Sequence, residues 1–210
     1  MVGIIKLLSV YQLKSRFQDL LNPIMLKLYR ANVSANQVTL GVFISSLVMA
    51  GMLYFIPSLM IWFALPVFML IRMAGNAIDG MLARQYNQQT DLGFMLNEIT
   101  DLLADAALLL AFSAVTGFDA YWLVSLLLLT WLSEFIALMG QIIRGERQNS
   151  GPLGKSDRAV FLSVFAILIG MGIDSLELSF WFFIIGHLLL LVTCFNRVTG
   201  SLKTSKRSCF

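Results

Sequence analysis

Residues 76–101, NAIDGMLARQYNQQTDLGFMLNEITD, decide both the fold class and the kind of function to expect. They set amides and acids at helical spacing inside a chain that is 58% hydrophobic and 13% charged. Carboxylates and amides are costly inside a bilayer, so a cluster of them within membrane segments indicates a functional site.

The rest of the chain predicts an all-α integral membrane protein. A mean hydropathy of +0.80 over 210 residues excludes an ordinary soluble domain. A membrane-spanning helix needs about 20 apolar residues, and six runs of this kind follow one another. We expect six transmembrane helices near residues 37–56, 59–85, 93–116, 120–143, 158–174 and 176–196.

An amphipathic segment precedes these spans. Residues 3–21 mix Leu, Ile and Phe with Lys and Arg, which is typical of a helix lying on the membrane surface. Pro23 is expected to end that helix. We assign residues 1–35 to this interfacial segment and residues 36–210 to one six-helix membrane domain.

Basic residues predict the orientation. In the six-span arrangement every Lys and Arg except Arg72 falls on one side of the membrane. Because positively charged loops remain cytoplasmic, both termini are predicted to be cytoplasmic, in a bacterial inner membrane.

A few other residues need no functional role. Cys194 and Cys209 are expected to be free thiols, because two cysteines carry no disulfide framework. His187 is expected to pack between helices. Gly117 and Gly172 are expected to mark turns between spans.

The polar residues of spans 2 and 3 form one stripe on each helix, since residues three and four apart share a face. The spans are antiparallel and joined by a short polar loop, so the two stripes can face each other. Their oxygens suit a hard divalent cation such as Mg²⁺, completed by substrate phosphates and water. The alternative is polar packing between the helices without a ligand. The stripes are Asn76, Asp79, Gly80 and Ala83 on span 2, and Asn97, Asp101 and Asp105 on span 3.

The motif N-x2-D-G-x2-A-R-x8-G-x3-N-x3-D resembles the signature of the CDP-alcohol phosphatidyltransferase family, D-x2-D-G-x2-A-R-x8-G-x3-D-x3-D. The six-span layout and the interfacial N-terminal helix match that family too. Members typically transfer a phosphatidyl group from CDP-diacylglycerol to an alcohol and release CMP. The chain differs at Asn76 and Asn97, which replace the first and third acids and suggest a variant branch. The matching residues are Asp79, Gly80, Ala83, Arg84, Gly93 and Asp101.

The resemblance implies roles for these residues in a phospholipid-synthesis transferase that uses Mg²⁺ or Mn²⁺. Asp101 is the expected general base, which would assist attack by the acceptor hydroxyl. The implied metal ligands are Asn76, Asp79, Asn97 and Asp101. The implied nucleotide-binding residues are Thr39, Asp79, Gly80, Ala83, Arg84 and Gly93.

Further residues are candidates for binding the acceptor or a phosphate. Lys155 and Arg158 precede span 5, where the family often has a Gly-Lys pair; the alternative is ordinary cytoplasmic loop charge. Asn36 and Thr39 open span 1 and resemble an N-x-x-T element whose hydroxyl faces the nucleotide. The alternative for Asn36 is a helix cap.

Arg72 lies one helical turn before Asn76, at a depth where a charge requires a partner. We predict a salt bridge with Asp105 or Glu134. Its functional alternative is to supply positive charge to an anionic acceptor or to the diphosphate.

Three function hypotheses remain open. The first is the transferase. The second, which the two amides favour, is a catalytically weakened relative that binds CDP-lipid or supports a partner enzyme. The third is a small transporter or channel, which would need a polar path to both membrane faces. The partners expected are CDP-diacylglycerol, a small alcohol acceptor, membrane lipid and a second copy in a homodimer, with no nucleic acid.

Overall fold

The computed structural model describes residues 17–56, 58–173 and 175–202, and this part of the chain is helical without strands. The prediction of an all-α protein is therefore confirmed. A 3-10 turn, Ala111–Ala114, follows the fourth helix. The helices are α1 (residues 17–30), α2 (Ala35–Phe55), α3 (Leu59–Gln85), α4 (Asp91–Leu110), α5 (Ala120–Arg144), α6 (Lys155–Gly170) and α7 (Leu176–Leu202).

Helices α2 to α7 lie at the six predicted spans. In the described residues, α2, α3, α5 and α7 are long and apolar enough to cross a membrane. By contrast, α6 has only 16 residues, and α4 carries Asp91, Glu98, Asp101 and Asp105. The chain is a membrane protein, while a six-span crossing with cytoplasmic termini stays a prediction.

Several helix ends differ from the predicted boundaries. Helix α6 begins at Lys155 instead of residue 158, because the Gly154 N–H donates to the Asp157 carboxylate at 3.0 Å and caps the first turn. It ends at Gly170, before a turn in which Gly172 has φ +79°. Gly117, with φ +89°, makes the other predicted turn.

The prediction that Pro23 ends the first helix is wrong. Helix α1 continues through Pro23 to residue 30. Proline has no N–H, so the carbonyl of Asp19, four residues earlier, lacks its helical partner. Asp19 and Pro23 are both exposed, so this carbonyl can be solvated. Leu21 and Met25 are buried in an apolar cluster that holds the helix in place. The predicted amphipathic helix over residues 3–21 lies mostly outside the described residues.

The chain forms two compact units. The first contains the described residues up to Ser46 together with Leu70–Ala104. Its core is a buried apolar cluster contributed by α1, the start of α2 and α3. Because that cluster takes one face of α3, the adjacent face is left for the motif's polar residues. The cluster consists of Leu21, Met25, Ala35, Ile78, Met81 and Leu82.

The second unit contains Leu47–Met69 and the described residues from Asp105 onward. Its apolar core is aromatic: the Phe112 ring lies 4.9 Å from Trp62 and 5.3 Å from Phe182, centroid to centroid. Helices α5 and α7 pack together, and the His187 Nε2 lies 2.7 Å from the Ser125 Oγ. His187 is thus the helix-packing residue that the sequence predicted.

The cysteine prediction is confirmed as far as it can be followed. Cys194 is a free thiol in α7, and Cys209 lies outside the described residues.

Candidate nucleotide and metal site

A capping box positions the start of α2. The Gln37 N–H donates to the Ser34 Oγ at 3.3 Å, and the Ser34 N–H donates back to the Gln37 Oε1 at 2.9 Å. Ser34 therefore fills the capping role that was the alternative for Asn36. The side chain of Asn36 is left to line a cavity.

Thr39 and Asp79 form the first buried contact of the motif. The Thr39 hydroxyl donates to the Asp79 Oδ2 at 2.9 Å, and both side chains are buried. Hydrogen bonds to ionised acceptors are stronger than those between neutral groups. This bond fixes the Asp79 carboxylate against the start of α2, and the predicted approach of the Thr39 hydroxyl to a nucleotide stays a prediction.

A cavity of about 390 Å³ lies in the first unit between the start of α2, the end of α3 and the start of α4. Residues of both α3 and α4 line it, so the two stripes do face each other. Six of the predicted metal-binding or nucleotide-binding residues line this cavity: Thr39, Asp79, Gly80, Ala83, Gly93 and Asn97.

Glycines keep the cavity open at two places. A Cβ atom added to Gly93 would lie 2.8 Å from the Asn36 Oδ1, closer than real Cβ contacts allow. One added to Gly80 would lie 3.3 Å from a guanidinium nitrogen of Arg84. Arg84, the remaining predicted nucleotide-binding residue, thus lies over Gly80 while staying exposed to solvent.

Asp101 and Asn76 bond to each other directly. The Asn76 Nδ2 donates to the Asp101 Oδ1 at 2.9 Å. The Arg72 Nη2 lies 3.7 Å from the same carboxylate oxygen and donates to the Asp101 backbone carbonyl at 3.4 Å. Arg72 therefore has a buried acidic partner, as expected for a charge in a membrane segment. Its predicted pairing with Asp105 or Glu134 stays a prediction.

The predicted metal ligands offer the oxygen donors that a hard divalent ion prefers, and their binding of a metal stays a prediction. Asp79 and Asp101 offer carboxylate oxygens, and Asn76 and Asn97 offer amide oxygens, which suit Mg²⁺ or Mn²⁺ when phosphates and water complete the shell. The Asn76 amide can donate its N–H to Asp101 while its carbonyl oxygen points elsewhere. Across the described ranges, no group of three or more His, Cys, Asp or Glu could hold a metal ion.

Arg158 lies in a buried ion-pair network of the second unit. Its guanidinium donates to the Asp105 Oδ2 at 2.7 and 3.1 Å and to the Glu134 Oε1 at 2.8 Å. Glu134 also contacts Arg147 at 2.8 Å and Arg197 at 3.4 Å. These contacts give Arg158 a structural role, and its predicted role in phosphate binding, like that of Lys155, stays a prediction.

Sequence reasoning missed two features. Besides Asn36, three residues of the α3–α4 loop line the cavity: Gln88, Gln89 and Thr90. The polar run between two apolar segments was a signal for them. The convergence of three arginines on Glu134 left no such signal, because those residues are far apart in sequence.

Comparison with known proteins shows the family of this chain. Residues 32–193 match the CDP-alcohol phosphatidyltransferase family, and the chain belongs to that family. It is 38% identical over 198 residues to the inner membrane protein YnbA of Escherichia coli (strain K12), covering 94% of this chain and 98% of that protein. An uncharacterized protein of Aquifex aeolicus (strain VF5) is 28% identical over 195 residues, covering 89% of this chain and 91% of that one.

Solved structures share the fold. Phosphatidylinositol phosphate synthase (PgsA1) of Mycobacterium tuberculosis with CDP-DAG bound gives a TM-score of 0.71 at 18% identity, over 90% of this chain and 97% of that one. The same enzyme in complex with manganese and citrate gives a TM-score of 0.70 at 18% identity, over 90% and 92%.

Proposed function

We propose that the protein transfers a phosphatidyl group from CDP-diacylglycerol to an alcohol acceptor and releases CMP. The observation that carries this proposal is the cavity of about 390 Å³, because residues predicted from the motif on three different helices line it together. Family membership supports the reaction class. The fold neighbour with CDP-DAG bound supports the donor.

The residues divide the work of the reaction. Gly80, Ala83 and Gly93 leave room for the nucleotide beside the backbone, and Thr39 orients the Asp79 carboxylate. Asn76 fixes one oxygen of Asp101 and so orients the carboxylate. The carboxylate can then take the proton of the acceptor hydroxyl while the hydroxyl oxygen attacks phosphorus. The phosphorus–oxygen bond to CMP breaks in the same transfer, and most of the rate gain comes from positioning and charge stabilisation.

A divalent ion held by Asp79, Asp101 and the amide oxygens of Asn76 and Asn97 would neutralise the diphosphate and stabilise the departing CMP. We propose Mg²⁺ or Mn²⁺, because every donor in the set is oxygen. The fold neighbour in complex with manganese is consistent with this choice.

The second candidate is a relative that binds CDP-lipid without turnover. One observation favours it: the motif has two amides in place of acids, and Asp101 is engaged by Asn76 and Arg72. This candidate predicts nucleotide binding without release of CMP.

The deciding experiment incubates the purified protein with CDP-diacylglycerol, Mg²⁺ or Mn²⁺, and a panel of alcohols, and measures CMP. The panel includes glycerol phosphate, inositol phosphate and serine. We expect release with at least one alcohol and none from the Asp101→Asn variant. Asp119→Asn is the matched control, because Asp119 is an exposed N-cap that asparagine replaces well. CDP binding with no CMP from any alcohol would favour the second candidate.

We further propose that the chain crosses the inner membrane six times, with both termini in the cytoplasm, and forms a homodimer. The basic residues support the orientation. Topology reporters fused after residue 118 and after residue 202 should report opposite sides of the membrane. Light scattering in detergent should give the mass of two chains.

A further inference from the structure

We propose that Arg72 is a built-in cation of the motif, which neutralises Asp101 from inside the protein, so that the site binds one divalent ion per chain and not two. The inference deepens the proposed function, since it rests on the same site holding a nucleotide-linked diphosphate. It is carried by the contact between Arg72 and Asp101 and by the motif's own donor set.

The donor set is short of negative charge. The family signature has acids at four positions, whereas this chain has carboxylates only at Asp79 and Asp101. Among the described residues, no group of three or more Asp, Glu, His or Cys could hold a metal ion. An amide oxygen can coordinate a cation but adds no charge, so two divalent ions at this motif would be poorly compensated.

Arg72 lies against one of these two acids. Its Nη2 is 3.7 Å from the Asp101 Oδ1 and donates to the Asp101 backbone carbonyl. Asn76, one helical turn further along α3, donates to the same Oδ1 at 2.9 Å. The Asp101 carboxylate is therefore bound by a guanidinium and by an amide that has taken the place of an acid.

The charge of Arg72 is only weakly screened by water. Arginine does not lose its proton in proteins, and this side chain is only 8% exposed. Asp79, Asp101 and Arg72 together carry one net negative charge. A single divalent ion reverses that sign and suits an anionic diphosphate, whereas a second ion would meet a site that is already positive.

The two positions at which the motif differs from the family signature fit the same charge argument. Asn76 and Asn97 stand where the family signature has acids, so the motif has two fewer negative charges, and Arg72 places a positive charge one turn away. Both features favour fewer bound metal ions. Arg72 acts through Asp101, so it is a positioning and charge-compensating residue.

The test is a Mn²⁺ titration followed by electron paramagnetic resonance, on the purified full chain in detergent without donor lipid or acceptor. We expect the wild type to bind one Mn²⁺ per chain. Arg72→Met should bind the ion at least five-fold more tightly, because a neighbouring positive charge is gone. Arg72→Lys keeps the charge and should stay within two-fold of wild type.

Two further variants sharpen the result. Arg144→Met is the matched control, because Arg144 donates to the Gly200 carbonyl in the second unit; it should leave the Mn²⁺ affinity within two-fold. Restoring both acids, Asn76→Asp with Asn97→Asp, in the Arg72→Met background should raise the stoichiometry to two.

Two Mn²⁺ per wild-type chain, or none, would overturn the inference. So would an Arg72→Met variant that unfolds like wild type yet binds Mn²⁺ no more tightly. If Arg72→Met does not fold, the inference is still tested by the number of Mn²⁺ ions that the wild type binds and by the Mn²⁺ affinity of Arg72→Lys. One bound Mn²⁺ without CMP release would support the single-ion inference and contradict the proposed transferase. Two bound ions with CMP release would contradict the inference and support the transferase.

Discussion

Glu134→Gln is the sharpest test of what holds the second unit together. The Glu134 side chain is only 1% exposed, and its carboxylate lies 2.8 Å from Arg147, 2.8 Å from Arg158 and 3.4 Å from Arg197. Glutamine keeps the shape and removes the charge. Three guanidinium groups would then share a site that has lost the carboxylate common to them all.

The loss in the free energy of unfolding depends on which of the three arginines keep another partner. Arg158 keeps Asp105, which accepts two of its hydrogen bonds, and Arg147 is 18% exposed, so water can solvate it partly. Arg197 is 1% exposed and keeps its hydrogen bond to the Ser133 carbonyl. Removing one partner of a buried pair costs about 3–5 kcal/mol. We expect a loss of about 3 kcal/mol in the free energy of unfolding, since two of the three cations are partly compensated.

The assay is unfolding in mixed micelles with a rising fraction of sodium dodecyl sulfate, followed by circular dichroism. Glu146→Gln is the matched control, because Glu146 is exposed directly after α5; its effect should stay within about 0.5 kcal/mol. Adding Arg197→Met to Glu134→Gln should recover part of the loss, because it removes the least compensated cation.

A Glu134→Gln loss below about 1 kcal/mol would refute the reasoning, because it would equal one ordinary hydrogen bond and not a buried charge. Disappearance of the effect in high salt would refute it as well, since salt screens exposed pairs and leaves buried ones largely intact.

Two further predictions concern the cavity. Thr39→Val keeps the shape of the side chain but removes the hydroxyl that orients Asp79. We expect at least ten-fold slower CMP release and about 1 kcal/mol lower stability. Thr199→Val is the control and should keep wild-type activity, because the Thr199 hydroxyl bonds to carbonyls of its own helix. Gly93→Ala places a Cβ atom 2.8 Å from the Asn36 Oδ1 and should weaken CDP binding three- to ten-fold by calorimetry. Gly41→Ala, which meets nothing within 4 Å, should leave CDP binding unchanged; an equal loss in both glycine variants would contradict the steric argument.

Local patterns in the sequence were enough to place most helices and the motif. Helix α3 begins and ends at the predicted residues 59 and 85, because a long apolar run bounded by polar residues allows little choice. Residues three and four apart must share a helical face, so the stripe on α3 followed from spacing alone. Pro23 was misread because packing of α1 in the apolar cluster outweighs one lost hydrogen bond.

Long-range contacts could not be read from such patterns. The bond from the Ala35 N–H to the Gln88 Oε1 and the cavity-lining side of the α3–α4 loop depend on how the start of α2 lies beside that loop. For Arg72, helical spacing limits the partner to a few acids, and the predicted pairing with Asp105 or Glu134 stays a prediction. Asp101 is a partner of Arg72 within the first unit.

The sequence by itself determined that this is a membrane protein, which helices it forms and the chemical character of its motif. The reason is that hydropathy and helical period are properties of consecutive residues. Only the tertiary structure decided which charges meet. Arg72 lies against Asp101, and Arg147, Arg158 and Arg197 gather around Glu134. The reason is that a buried charge must be compensated, and the compensating group is supplied by whichever helix packs against it.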